Sequence, residues 1–195
     1  MPSAFDQSRY QVRLEWGAEG LARLAPADVV VLVDVLTETT VLTDAAARGE
    51  AVPAPASLAA AIAAAGEALV LAGSLRNASA VARAALAEQH RRGARTSIAI
   101  VPLGEQGRVT VEDQFGAGAV IDALAAIGID HTSPESAAAS EAFRGLRRAL
   151  RHLLTASGSG QALLDAGRRD EVLAAAEIDA AHVVPVLRDG VFVAD

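Results

Sequence analysis

DVVVLVDVL, at residues 28–36, is a run of β-branched and leucine side chains interrupted by one carboxylate, Asp34. A run this apolar is typical of a strand that is buried on both faces, as in a parallel sheet covered by helices. A carboxylate inside such a run is costly unless it is paired, hydrogen-bonded or bound to a metal ion. This segment therefore predicts the fold class, and it marks a residue that needs a partner.

The segments on either side of this strand alternate between strand-like and helix-like patterns. Strands are predicted at residues 11–16, 28–36, 51–53, 68–72, 96–101, 109–111, 183–187 and 191–193. Helices are predicted at residues 39–48, 57–65, 77–92, 114–127, 133–154, 160–166 and 169–177. This alternation predicts one α/β domain over residues 1–195, with a mainly parallel or mixed sheet covered by helices on both faces. The turn Arg188-Asp189-Gly190 predicts a closing C-terminal β-hairpin.

Composition excludes several classes of function. All 17 basic residues are arginine and there is no cysteine, which excludes lysine or thiol catalysis and Cys-ligated zinc. The formal net charge of −7 without a basic stripe argues against a nucleic-acid partner. No signal-peptide core and no apolar run of ~18 residues is present, so we expect a cytoplasmic protein without membrane contact. The high alanine and valine content is compatible with a homo-oligomer, in which such surface is covered.

Three carboxylates are candidates for catalysis or metal binding. Ligands of parallel sheets bind beyond the carboxyl ends of the strands, and Asp34, Glu112 and Asp113 lie near predicted strand ends. Asp34 is either a metal ligand or catalytic group, or a carboxylate satisfied by nearby amides and hydroxyls. Glu112 and Asp113 are either oxygen ligands for Mg²⁺ or acidic residues that stabilise a helix N-terminus.

Hydroxyl, amide and guanidinium groups near the same ends could bind an anion. They occur in three segments, at residues 39–40, 73–78 and 157–160. Each segment is also compatible with an ordinary helix cap or turn. The candidate anion-binding residues are Thr39, Thr40, Ser74, Arg76, Asn77 and Ser157.

Four segments share their order and spacing with the motifs of one enzyme family. They are VVVLVDVLTETTVL at residues 29–42, GSLRNASAVA at 73–82, GRVTVEDQFGAGAVIDAL at 107–124, and the tail from SGSGQALL at 157 to VVPVLRDGVFV ending at 193. Together they resemble the 2-phosphosulfolactate phosphatase family, from about residue 28 onward. The patterns resembled are D-V-L-R-A-T-T, G-S-x-x-N-A-x-A-V-A, E-D-x-x-x-A-G and S-x-x-G-R-x-L.

The resemblance implies Mg²⁺-dependent hydrolysis of a phosphate monoester on a small sulfonated acid, giving sulfolactate and phosphate. It implies metal binding or water activation by Asp34, Glu112 and Asp113. It assigns the six anion-binding candidates to the phosphate or sulfonate of this small phosphorylated acid. Mg²⁺ would neutralise phosphoryl charge and orient a nucleophile.

The chain also departs from the family pattern. Thr37 and Glu38 stand where the family has Arg and Ala, and Gln161 replaces a basic residue. The region between Gly49 and Leu71 is shorter than in the family. One charged hydrogen bond to a dianion is worth about 1.5–3 kcal/mol, so these changes could abolish the family reaction or move it to another phosphorylated substrate. The alternative to a phosphatase is a catalytically degenerate member that binds a small anion or a protein partner. A third possibility is an unrelated α/β binding protein.

Overall fold

The computed structural model describes residue 3 and residues 5–195, and in this part of the chain a seven-stranded mixed sheet forms the centre. The strands are β1 (Val12–Leu14), β2 (Val29–Val33), β3 (Val52–Pro53), β4 (Leu69–Gly73), β5 (Ile98–Pro102), β6 (Pro185–Arg188) and β7 (Val191–Ala194). Their order is β1-β5-β2-β4-β6-β7-β3. Strands β1, β5, β2 and β4 pair in parallel. The pairs β4–β6, β6–β7 and β7–β3 are antiparallel. The predicted α/β fold with a mixed sheet is confirmed.

Helices connect these strands and cover both faces of the sheet. They are α1 (Gly17–Arg23), α2 (Glu38–Ala47), α3 (Ala59–Ala65), α4 (Ala78–Arg92), α5 (Val111–Ala126), α6 (Pro134–Leu146), α7 (Leu150–Ala156), α8 (Gly158–Asp165) and α9 (Arg169–Ala175). Short 3-10 turns occupy residues 56–58, 75–77 and 147–149. Within residues 3 and 5–195, none of the helices combines the length and the hydropathy that a membrane-spanning segment requires.

Strand β2 shows why both faces need cover. All of its residues, Val29–Val33, are buried, and successive side chains of a strand point to opposite faces. Val30 and Leu32 belong to an apolar cluster with side chains of α1, α2 and α3. Val31 and Val33 belong to a second cluster with side chains of α4 to α9. Burying each such side chain contributes about 1.5–3 kcal/mol relative to exposure.

The predicted C-terminal hairpin is present as β6 and β7. Arg188 pairs with Val191, so the turn consists of Asp189 and Gly190, and both have positive φ, 50° and 79°. Positive φ at both central residues is the type I′ geometry, whose twist matches that of paired strands. The hairpin extends the sheet because Val186 pairs antiparallel with Leu71 of β4.

Two local predictions were wrong, and one helix was not predicted. Residues 109–111 form no strand; α5 begins at Val111, so Glu112 and Asp113 lie in its first turn. The segment Gly17–Arg23 is a helix that was not predicted, because seven residues with two glycines carry little helical signal. The helix predicted for residues 133–154 is interrupted by the 3-10 turn at 147–149. Its start was correct, since Ser133 Oγ accepts a hydrogen bond from Ser136 N.

Candidate active site

A cleft of about 490 Å³ opens beyond the carboxyl ends of β2 and β5. The amino ends of four helices border it, through Gly17 of α1, Glu38 of α2, Glu112 of α5 and Ser159 of α8. The amino ends of α1, α2 and α5 lie here because each follows a parallel strand that ends at the same edge, whereas α8 follows α7. This edge is the usual ligand-binding position of open α/β sheets.

Asp34 follows β2 directly and lines the cleft. Its carboxylate oxygen Oδ1 accepts hydrogen bonds from the backbone N–H of Thr37, at 3.2 Å, and from the Thr37 hydroxyl. Thr39 Oγ1 receives the Asp34 N–H at 2.9 Å and donates to the Asp34 carbonyl at 2.7 Å. Thr40 Oγ1 donates to the Val35 carbonyl at 2.6 Å. These bonds hold the strand end in place and aim the half-buried carboxylate at the cleft.

Asp113 lies in the first turn of α5 and is only 3% exposed. Its Oδ1 accepts from the N–H of Val35 at 2.7 Å, and its Oδ2 accepts from the N–H of Gly104 at 3.0 Å. Val35 follows β2 and Gly104 follows β5. Asp113 therefore uses both oxygens to join the amino end of α5 to the ends of two central strands.

Asp34 and Asp113 influence each other electrostatically. Burial raises the pKa of Asp113 to about 7, and the nearby charge of Asp34 adds to this increase. Burial also raises the pKa of Asp34, while the hydrogen bonds from Thr37 oppose the increase. Because both shifts disfavour the charged forms, the pair resists carrying two negative charges near neutral pH.

Glu112 is the least satisfied carboxylate of the cleft. It is 3% exposed and lines the cleft, yet its carboxylate has no hydrogen bond or ion pair within residues 3 and 5–195. Its oxygens are therefore free to accept a hydrogen bond or to bind a cation from the cleft. The Thr110 hydroxyl is buried beside the Asp113 carboxylate and lowers the pKa of that group, although it does not meet full hydrogen-bond geometry.

The cleft is acidic. Its lining contains five carboxylates and no Arg or His: Asp34, Glu38, Glu105, Glu112 and Asp113. However, the described part of the chain holds no group of three or more His, Cys, Asp or Glu side chains arranged to bind a metal ion. The structure thus does not assemble the three predicted ligands into one metal-binding group, because Asp113 gives its oxygens to backbone amides. Asp34 and Glu112 remain as cleft-facing carboxylates whose donor chemistry fits a hard cation shared with a phosphate.

Ser74 and Asn77 serve the backbone at the end of β4. Ser74 Oγ accepts from Arg76 N at 3.2 Å, and Asn77 Oδ1 accepts from Ser74 N at 2.9 Å, which makes a capping box. Asn77 Nδ2 also donates to the Ala72 carbonyl at 3.1 Å. Asn77 occupies the N-cap position of α4 without a side-chain hydrogen bond to that helix, and Ser74 caps the 3-10 turn at residues 75–77. Both side chains are fully buried and do not line the cleft.

Arg76 joins two helices. Its guanidinium pairs with Asp44 of α2 at 3.0 Å and donates to the Ala174 carbonyl of α9 at 2.8 Å. Ser157 caps α8 by accepting from Gly160 N at 3.1 Å, and it lines a pocket next to the cleft. The structure therefore brings Asp34, Glu112 and Asp113 to the cleft. The substrate-binding roles of Thr39, Thr40, Ser74, Arg76, Asn77 and Ser157 stay predictions.

The sequence interpretation missed several polar residues of the cleft wall. Glu105 follows β5 and accepts a 3.0 Å hydrogen bond from Ser159 of α8. Thr37 and Glu38 were identified only as departures from a family pattern, although both line the cleft. The rule that strand ends carry the site could have found Glu105, since it follows a clear strand. The sequence did not identify Thr110 as a site residue, because residues 109–111 were predicted to form a strand.

The sequence model of the 2-phosphosulpholactate phosphatase family matches residues 56–190 of the 195 residues. The chain belongs to this family. It is therefore a member of a family of phosphatases, which are hydrolases. The match to the 2-phosphosulpholactate phosphatase family includes Glu112, Asp113 and the loop around Ser74. The motifs predicted a resemblance from about residue 28 onward, but the family model begins to match at residue 56. Asp34 therefore lies outside the matched range, and its assignment to the site depends on the geometry described above.

Proposed function

We propose that this family member hydrolyses a small phosphate monoester in the acidic cleft with Mg²⁺, and that 2-phosphosulfolactate, giving sulfolactate and phosphate, is the first substrate to test. The observation that carries the proposal is the convergence of Asp34, from the end of β2, and Glu112, from the first turn of α5, on one cleft. Membership of a phosphatase family supports the reaction class.

Asp34 and Glu112 would hold the metal ion. Mg²⁺ usually takes one or two protein carboxylates and completes its coordination with water and substrate phosphate oxygens. When bound, it neutralises phosphoryl charge and orients the attacking and leaving oxygens. A cleft with five carboxylates and no basic side chain in its lining would otherwise repel a phosphate dianion, which supports the need for a cation.

Asp113 is a positioning residue in this scheme. Its hydrogen bonds to the N–H groups of Val35 and Gly104 hold α5 against the strand ends, so Glu112 and Asp34 keep their relative placement. The amino ends of α2 and α5 point at the cleft, and their partial positive charge favours phosphate oxygens. Leu58 and Leu163 add apolar side chains to the lining of the same cleft.

The test is phosphate release from phenyl phosphate and from 2-phosphosulfolactate, with Mg²⁺ and with a chelator. Glu112→Gln keeps the shape of the side chain but removes its charge, and we expect it to lower kcat at least 100-fold and to weaken Mg²⁺ binding. Glu135→Gln is the matched control, because Glu135 is an exposed acid in the first turn of α6. Equal rates for the Glu112→Gln variant and the wild type would end this assignment.

A catalytically inactive family member, which binds a small anion or a protein partner, is the second candidate. It is favoured by two departures from the family pattern. Glu38 adds a carboxylate beside Asp34 and accepts a 2.6 Å hydrogen bond from Ser57, which disfavours a phosphate dianion in the cleft itself. The Gln161 side chain donates to the Thr155 carbonyl, so it does not supply the charge of the basic residue it replaces. Binding of phosphate without Mg²⁺-dependent turnover of either ester would support this candidate.

A further inference from the structure

A second pocket of about 480 Å³ adjoins the cleft, and we call it the side pocket. It lies between the loop after β5 and the amino end of α8. Glu105, Thr110, Glu112 and Ser159 line both the cleft and the side pocket. A ligand at their boundary can therefore extend from one into the other.

Among the described residues, Arg108 is the one basic residue that lines the side pocket. It makes no ion pair or side-chain hydrogen bond within residues 3 and 5–195. Its backbone is held in a tight turn, with Arg108 N donating to the Glu105 carbonyl at 2.8 Å and Glu105 N donating to the Arg108 carbonyl at 3.0 Å. The Glu105 carboxylate in turn accepts from Ser159 Oγ, which ties this turn to α8.

The amino end of α8 also lines the side pocket and has two free backbone donors. Ser157 Oγ and the Ser157 carbonyl accept from the N–H groups of Gly160 and Gln161. The N–H groups of Gly158 and Ser159 have no acceptor in the described part of the chain. Arg108 and the residues that carry these two amides line the same pocket, and guanidinium groups and free helix-terminal amides are good donors to an acid group.

Glu112 lies at the boundary because it lines both spaces. The cleft has five carboxylates and no basic side chain among the described residues of its lining, whereas the side pocket has two carboxylates, Glu105 and Glu112, and one arginine, Arg108. A substrate with a phosphate at one end and a second acid group two or three bonds away has the matching charge pattern.

We propose that the side pocket binds the second acid group of the substrate, a sulfonate or carboxylate on the carbon skeleton of the phosphate ester. Arg108 is then a residue that determines substrate specificity and does not take part in the chemical step. The inference rests on the proposed phosphatase function, since it assumes that the phosphate occupies the cleft.

The test compares three phosphate esters: phenyl phosphate, which has no second acid, 2-phospholactate, which adds a carboxylate, and 2-phosphosulfolactate, which adds a sulfonate as well. We expect Arg108→Ala to raise KM for 2-phosphosulfolactate about tenfold or more and to change KM for phenyl phosphate less than twofold. Arg108→Lys, which keeps the charge, should recover part of the loss. A raised KM for 2-phospholactate too assigns the pocket to the carboxylate, and an unchanged one assigns it to the sulfonate.

Arg83→Ala is the matched control, because Arg83 is an exposed arginine of α4 that lines neither space. Unchanged discrimination between 2-phosphosulfolactate and phenyl phosphate in the Arg108→Ala variant overturns the proposal. If the wild type hydrolyses none of the esters, the phosphatase assignment fails, and the pocket is tested by NMR. Sulfolactate should then shift the amide signals of Gly158 and Ser159 in the wild type but not in Arg108→Ala, and the absence of shifts in the wild type overturns the pocket as well.

Discussion

The Asp113 carboxylate accepts a 2.7 Å hydrogen bond from the backbone N–H of Val35, a residue 78 positions earlier in the chain. Val35 directly follows Asp34, and Asp113 directly follows Glu112. A single contact therefore sets the relative position of the two carboxylates that face the cleft. The second bond of Asp113, from Gly104 N, adds the end of β5 to the same arrangement.

Replacing Asp113 by alanine should destabilise the protein by about 2–4 kcal/mol, because two backbone N–H groups lose their acceptor where little water can replace it. The free energy of unfolding in urea measures this loss. Asp122→Ala, on the same helix α5, is the control; its 3.6 Å contact with Arg144 is partly exposed, and we expect a change within about 0.5 kcal/mol. Similar losses in both variants would show that the Asp113 bonds contribute little.

The Asp34→Asn variant should lose activity yet gain stability, and the gain should depend on pH. The pKa of Asp113 is raised from 3.8 to about 7, with the Asp34 charge as the second cause after burial. The folded state therefore retains a proton that the unfolded state has released, so wild-type stability falls as pH rises from about 4 to about 7. Removing the Asp34 charge lowers the pKa of Asp113 and reduces this fall.

We expect Asp34→Asn to be more stable than the wild type by about 1 kcal/mol at pH 8 and by much less at pH 4. Urea unfolding of both proteins at the two pH values measures the difference, and the comparison cancels other groups that titrate. A gain that is the same at both pH values would contradict an electrostatic interaction between Asp34 and Asp113.

Gly118 and Gly145 give a matched pair for the packing of α5 on α6. A Cβ added at Gly118 would lie 2.2 Å from the Ala139 carbonyl oxygen and 2.8 Å from Phe143 Cβ, whereas one added at Gly145 has no neighbour within 4 Å. We expect Gly118→Ala to cost about 3 kcal/mol or more, because the two helices must move apart. Gly145→Ala, within α6, should instead stabilise by about 0.5–1 kcal/mol. Thermal unfolding of both variants checks the opposite signs.

Replacing Arg76 by alanine separates a structural role from a substrate-binding one. Because its guanidinium pairs with Asp44 and donates to the Ala174 carbonyl, we expect a loss of about 1–3 kcal/mol in stability. KM for 2-phosphosulfolactate should stay within twofold of the wild type. A tenfold rise in KM with unchanged stability would instead establish the substrate-binding role predicted from the sequence.

Local patterns were sufficient for most of the fold. The apolar run at residues 28–36, the Ser133-Pro134 helix start and the Asp189-Gly190 turn each produced the element they predicted. Each depends on interactions within a few residues, such as side-chain periodicity, capping and the sign of φ. The same patterns failed at residues 109–111, where Val-Thr-Val is as compatible with a strand as with a helix start.

Of the candidate site, only the carboxylate residues could be predicted from the sequence. An acid inside a buried run must have a partner, so Asp34 could be singled out from the sequence. That Asp113 is bound to Val35 and Gly104 while Glu112 stays unpartnered depends on which residues meet at the end of the sheet. The sequence also does not show that Ser74 and Asn77 are buried in a capping box.

The sequence by itself determined the α/β class, the buried central strand and the family to which the chain belongs, because periodicity, turn chemistry and motif order are properties of neighbouring residues. Only the tertiary structure decided which acids face the cleft, which are used in backbone bonds, and that Arg108 borders a pocket beside them. The physical reason is that hydrogen-bond partners and burial are set by packing between segments far apart in the chain, and side chains of the same type take opposite roles according to that packing.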